Sequence, residues 1–359
     1  MNPSNWKISL PIFPPSAVLD NSTISEYSRC PRRGFYRYGL RRGFEGKSYT
    51  IQYGIAYHRY RETLEKEMIV NKSKLTEEIH QVALKAALHK YEEPPVGHRY
   101  EYLSRIRLIQ ACEKSKERVR EEQRTGKIIV TRAEDSFDLE LPFFYCENCG
   151  WTIPESEAYT DSDDSDDDDA VARMRLKHCP TCDGVELTRA RHGGRVDQFV
   201  LWSAFSKDMI RDFKTTSRMG KDYDLKFDPN SQMTGYVWAG SELSGRKFDG
   251  VLIETIYNTK SAGPDIFQTY VQFSAGQIEQ WQASMMMERQ FIQTCFARAE
   301  ELGYLAFPMR TAACPDYGGC RFRDACRSGS AWEIENWLKN YTIESHWDFT
   351  NPEEEVAEV

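Results

Sequence analysis

No apolar run in this 359-residue chain is long enough to cross a membrane, no secretory-type leader opens it, and positive charge is not in surplus. The first lack excludes a helical membrane anchor. The second, with cysteines in tightly spaced pairs, argues against a secreted disulfide framework and for a reducing cytoplasm. The third, a formal charge of −8 from 47 Lys and Arg against 55 Asp and Glu, would speak against an acidic partner if the charge were evenly spread. It is not. Seven Asp and two Ser fill the run from Asp161 to Asp169, and the tail carries Glu353, Glu354, Glu355 and Glu358. The two segments hold eleven acids and no bases, so the chain without them is +3. Neither can bury enough apolar surface to order itself, and both are expected to be disordered.

The basic residues have a focus of their own. Arg29, Arg32, Arg33, Arg37, Arg41 and Arg42 gather around Cys30, interleaved with Phe35, Tyr36 and Tyr38. Arginines in such a segment can grip phosphates, and Arg32, Arg33 and Arg37 are the candidate nucleic-acid contacts. The rings are expected in the core.

Two short stretches carry the chemistry: Gly194-Arg195-Val196-Asp197 and Asp212-Phe213-Lys214, each in a run that reads as a β-strand. As two strands of an antiparallel hairpin they would bring the aspartates to one point. Hard cations such as Mg²⁺ or Mn²⁺ take carboxylate oxygens and keep several waters, which is how a phosphate is polarised and water activated. The period of two puts Lys214 on the face of Asp212, where an ammonium can orient water or balance developing charge. Upstream, His58 sits in an amphipathic helix and could supply an imidazole to the same ion; downstream, Gln232 and Tyr236 share one helix face at i and i+4.

The ten cysteines divide unevenly. Cys146-x-x-Cys149 and Cys179-x-x-Cys182 read as two knuckles whose four thiolates close a tetrahedron around a structural Zn²⁺. Cys314, Cys320 and Cys326 form a C-terminal trio, Cys30 stands alone early, and Cys112 and Cys295 lie in apolar helical contexts where they simply pack.

The order His58, Asp197, Asp212-x-Lys214, Gln232-x-x-x-Tyr236 resembles the PD-(D/E)xK nuclease superfamily, in particular its RecB/AddB-like and CRISPR-associated iron-sulfur exonucleases. The resemblance covers about Ser22 to Cys326. It implies an α/β (α+β) fold with a restriction-endonuclease-like core, a mixed central sheet flanked by helices, here with an inserted zinc ribbon. It further implies that His58, Asp197 and Asp212, with the Phe213 carbonyl, hold Mg²⁺ or Mn²⁺, that Lys214 is the catalytic lysine, and that Gln232 and Tyr236 stand beside it. Glu134 lies where relatives often have a glutamate before the strand pair. Cys30 with Cys314, Cys320 and Cys326 resembles the set that holds a [4Fe-4S] cluster, although five residues separate Cys314 from Cys320 where many relatives have two. Soft thiolates also suit a second zinc.

The expected organisation is an irregular N-terminal arm (1–21), a helical part with the first core strand (22–144), the inserted ribbon (145–190), the nuclease core with the cluster-binding region (191–326), and an extension with the acidic tail (327–359). Three helices are expected from about Ala56 to Gln123, a strand from Ile128 to Phe144, another over Phe248 to Thr255, and a long helix from Ala275 to Leu302. The expected function is a metal-dependent exonuclease of single-stranded DNA or DNA ends in recombination, repair or processing, in a cytoplasm, with a helicase or recombinase as the class of protein partner and no membrane. Two alternatives remain: a structure-specific endonuclease, and a non-catalytic nucleic-acid-binding or assembly subunit that kept the fold.

Overall fold

The computed structural model describes residues 3–43, 48–160, 173–174, 178–182, 187–315 and 319–343. The acidic run from Asp161 to Asp169 and the acidic tail lie outside them. Among the described residues no helix is long and apolar enough to cross a membrane. The chain divides into two units: a sheet unit of residues 46–137 and 195–278, and a cysteine unit of residues 1–45, 138–194 and 279–359. The strands Ile128–Cys146 and Leu187–Trp202 have residues in both.

In the sheet unit the strand order is Asp265–Gln272, Gly250–Tyr257, Lys207–Thr216, Leu187–Trp202, Ile128–Cys146. Lys207–Thr216 runs antiparallel to Leu187–Trp202 and parallel to Gly250–Tyr257, so the sheet is mixed. From Gly250 to Ile256 every residue is buried, the pattern of a strand covered on both faces rather than alternating. The fold is the expected mixed α/β architecture with helices flanking a central sheet.

The expected helical stretch forms Tyr49–Asn71, Glu77–Leu88 and Arg105–Thr125. Thr76 and Ser104 cap the second and third by accepting from Ile79 and Arg107 backbone N–H groups, which satisfies donors that a helix start leaves open. Tyr53, Tyr57, Tyr60 and Leu64 turn inward onto Leu108, Cys112, Phe213 and Ile256, which fixes the first helix against the sheet. Below the other end, Ser231–Ser244 packs closely: a Cβ added at Gly240 would meet Ile210 Cδ1 at 2.9 Å. A larger residue there would have to push the Ile210 side chain aside.

The cysteine unit is built on rings. Phe35 and Phe307 stack with centroids 3.7 Å apart, and Tyr36 packs on Tyr304 and Phe322. Phe35 and Tyr36 are fully buried, as expected for the core, while Tyr38 is half-buried. Val18–Asp20 pairs in parallel with Arg191–Gly193, and Phe143–Tyr145 pairs with Thr152–Pro154 across the first cysteine knuckle. The long helix ends earlier than expected, at Ala297, and Ala299–Leu302 forms a separate short one.

Candidate active site and metal centres

Strand register assembles the site. The antiparallel ladder reaches Gln198 opposite Arg211, and one step beyond it stand Asp197 and Asp212, so both carboxylates emerge at the same end of the strand pair. Asp197 Oδ2 accepts the Phe213 backbone N–H at 2.8 Å and lies 3.4 Å from His58 Nδ1. Lys214 Nζ sits 2.7 Å from Asp212 Oδ2 and 3.0 Å from its Oδ1, and reaches Gln232 Oε1 at 3.5 Å. Gln232 in turn donates to the Tyr236 hydroxyl at 2.9 Å. His58, Asp197, Asp212, Phe213, Lys214, Gln232 and Tyr236 thus form one connected set.

Its electrostatics are uneven. Burial works against the Asp197 carboxylate, but His58, Lys214 and the Phe213 N–H outweigh it and hold its pKa below the usual range. Asp212 goes the other way: burial and the neighbouring Asp197 raise it despite Lys214. Burial opposes the charge on Lys214, yet Asp212 and Asp197 keep it protonated by raising its pKa. His58 is likewise raised, against burial, by Asp197. Two buried carboxylates of unequal acidity beside one cation carry a desolvation cost that a bound ion would offset.

The donor set suits a hard divalent cation: two carboxylates and an imidazole. Asp212 Oδ2 is buried without a hydrogen bond of good geometry and lies 2.7 Å from the Lys214 ammonium. The ligand atoms of His58, Asp197 and Asp212 do not all fall within 4.8 Å of one another; among the described residues only the Cys146 group does so.

Glu134 joins the site from the outermost of these strands. Its backbone is left-handed, with φ +54°, and its side chain is buried against Arg195, 3.0 Å away. Burial and Asp197 push its carboxyl up to about 8. A strained, non-glycine residue held in place by its surroundings is common where a side chain must be aimed. Glu62, whose charge reaches Glu134, escaped the sequence reading, although His58-x-x-x-Glu62 is the i, i+4 spacing of one helix face. Lys226 escaped it too. Its ammonium rests 3.5 Å over the Tyr223 ring, and burial with the nearby Lys214 lowers its pKa to about 8. No sequence pattern marks that lysine.

In the cysteine unit, Cys146, Cys149, Cys179 and Cys182 present sulfurs all within 4.8 Å, with Cys146–Cys182 and Cys149–Cys179 at 3.5 Å. A tetrahedral ion with metal–sulfur bonds of about 2.3 Å needs sulfurs about 3.8 Å apart. The separations are far beyond a disulfide bond of about 2.05 Å. This group could hold a metal ion. Cys30, Cys314, Cys320 and Cys326 lie close enough to act on one another: Cys30 and Cys314 raise Cys320, and Cys30 and Cys320 raise Cys326, which burial has already pushed up to about 12. Unlike the Cys146 group, their sulfurs do not all fall within 4.8 Å of one another.

The arginines part company. Arg32 is buried and donates Nε to the Phe307 carbonyl at 2.7 Å, and Arg33 grips Glu26 through two bonds. Both help build the wall around the second cysteine set. Arg37 is exposed.

A family model described as the PD-(D/E)XK nuclease superfamily matches residues 21–327. No curated protein matches the chain.

Proposed function

Because the chain belongs to the PD-(D/E)XK nuclease superfamily, we propose that it is a metal-dependent deoxyribonuclease working as an exonuclease on single-stranded DNA or DNA ends. The observation that carries this reading is the pairing of Asp197 and Asp212 at one strand end with Lys214 on Asp212. Asp197, Asp212 and His58, with the Phe213 carbonyl, would hold Mg²⁺ or Mn²⁺. That ion supplies Lewis-acid polarisation of the phosphate and a water acidic enough to attack at neutral pH. Lys214 would orient the attacking water and offset charge as one phosphorus–oxygen bond forms and another breaks. Gln232 and Tyr236 would hold Lys214 in register, since Gln232 bridges the two. Arg37 would meet the DNA backbone as an exposed cation. The Cys146 group would hold a structural Zn²⁺, and Cys30 with Cys314, Cys320 and Cys326 a structural [4Fe-4S] cluster.

The test is digestion of end-labelled single- and double-stranded DNA and of closed circles in Mn²⁺. The reading expects linear substrates to shorten and circles to survive. Cleavage of a closed circle makes the enzyme an endonuclease, and no cleavage of any substrate by metal-loaded protein overturns the nuclease reading.

A further inference from the structure

Beside the proposed catalytic lysine the sheet unit contains a second, uncharged site. A cavity of about 200 Å³ opens where the parallel strands Lys207–Thr216 and Gly250–Tyr257 end, lined by Tyr53, Tyr102, Thr215, Thr216, Ser217 and Asn258 among others. Ligands of open α/β sheets commonly sit outside such carboxyl ends. Asn258 is the unusual member. It is 2 % exposed, and among the described residues its Oδ1 has no hydrogen-bond partner, while its Nδ2 lies within reach of the Tyr53 hydroxyl. The Tyr53 hydroxyl interacts with it but donates to the Arg107 carbonyl at 3.1 Å. A primary amide buried with its acceptor unmatched is costly unless something else supplies the partner.

We propose that this cavity is a nucleobase pocket in which Asn258 hydrogen-bonds the edge of one DNA base stacked against Tyr102, while the attached phosphate lies at Lys214. The proposal rests on the nuclease reading and deepens it. Every lining residue is uncharged, so the cavity offers a metal no carboxylate and a phosphate no cation. Its volume falls below the roughly 300 Å³ at which drug-sized ligand sites begin, which suits one flat heterocycle rather than a whole nucleotide. Base edges place a donor beside an acceptor, the pattern an asparagine amide reads with two bonds. Tyr102, half-buried at the wall, provides a ring face of the kind on which unpaired bases stack. The placement is also right. Thr216 is two residues past Lys214 on the same strand, about 7 Å along it, and its carbonyl accepts the Asn258 N–H at 2.9 Å. That distance is within reach of one nucleotide.

The experiment measures equilibrium binding of the full chain, without divalent metal, to labelled single-stranded oligonucleotides in which one abasic site is moved stepwise from the end. The expected result is about tenfold weaker binding for one or two adjacent positions, within the range of losing one stacked base. Asn258→Leu and Tyr102→Ala should bind all members of the series alike, Tyr102→Ala serving where Asn258→Leu does not fold. Uniform affinity across the series in the parent overturns the pocket, as does failure to bind any oligonucleotide. Cleavage of the same series in Mn²⁺ separates the two ideas. Position-dependent binding without cleavage sinks the nuclease reading and leaves the pocket standing; cleavage with uniform binding does the reverse.

Discussion

Asp197 is tied across the sheet to Phe213: its Oδ2 accepts the Phe213 backbone N–H at 2.8 Å. The bond joins one carboxylate to the residue between the other carboxylate and the lysine, so the three charged groups share a rigid frame. Beneath it the Arg61 guanidinium lies 4.5 Å under the Phe213 ring and is itself buried, held by Glu254 at 3.1 Å and Glu65 at 3.0 Å. The frame is charged on both sides of the strand.

Asp212→Ala and Lys214→Ala should each lower Mn²⁺-supported cleavage by about 10²- to 10³-fold, the typical loss when one preorganised polar group is removed from a reacting centre. Circular dichroism should remain that of the parent. Equal cleavage by parent and variants would place the activity elsewhere.

Asp197→Asn keeps an oxygen for the Phe213 N–H but removes the charge. Mn²⁺ affinity, read by calorimetry, should fall while the urea midpoint changes little. A large stability loss with metal affinity intact would show Asp197 to be structural instead.

Arg61→Met leaves Glu254 and Glu65 buried without their shared cation. The expected cost is about 3–5 kcal/mol in urea unfolding, as for other broken buried pairs. Adding Glu254→Gln should recover part of it, because the stranded charge is then gone. An unchanged midpoint in Arg61→Met would mean that Arg211, paired with Glu122 at 2.6 Å, suffices.

His192 ties stability to acid. Burial lowers its pKa to about 4, against the opposing hydrogen bond to the Leu19 carbonyl at 2.9 Å. Between about pH 6.5 and pH 4 the unfolded chain therefore binds the extra proton, so stability falls as pH drops through that window, by about 3 kcal/mol in all. His192→Gln should flatten this dependence in urea titrations at a series of pH values. An unaltered slope assigns the acid sensitivity to other groups.

The two cysteine sets should load independently. Anaerobically purified parent should be brown with iron and also contain zinc. Cys149→Ser should lose zinc and become protease-sensitive around 146–182, and Cys326→Ser should lose iron and colour. Zinc at both sets, with no iron, would replace the cluster by a second zinc.

The parts of the site that lie close in sequence were the readable ones. Asp212 and Lys214 share a strand face because the side-chain period is two, and the cysteine pairs present sulfurs together because a tight turn leaves them no other geometry. The helix over Glu77–Leu88 falls inside the stretch from about Ala56 to Gln123 expected to form three helices. Arg32 and Arg33 carried no such signal, since exposure depends on what a side chain meets. Arg32 meets Phe307, 275 residues away.

By itself the sequence determined the chemical inventory: which carboxylates, lysine, histidine and thiols exist, and which neighbours within a few residues must face the same way. Tertiary structure alone decided how those pieces are used. Arg61 reaches Glu254 across 193 positions, Glu134 is bent into a left-handed backbone beside Asp197, and Asn258 is buried with its side-chain oxygen unmatched. The reason is that local geometry fixes directions over one or two turns, whereas burial and charge pairing depend on which distant surfaces close over a residue, and no short pattern encodes that.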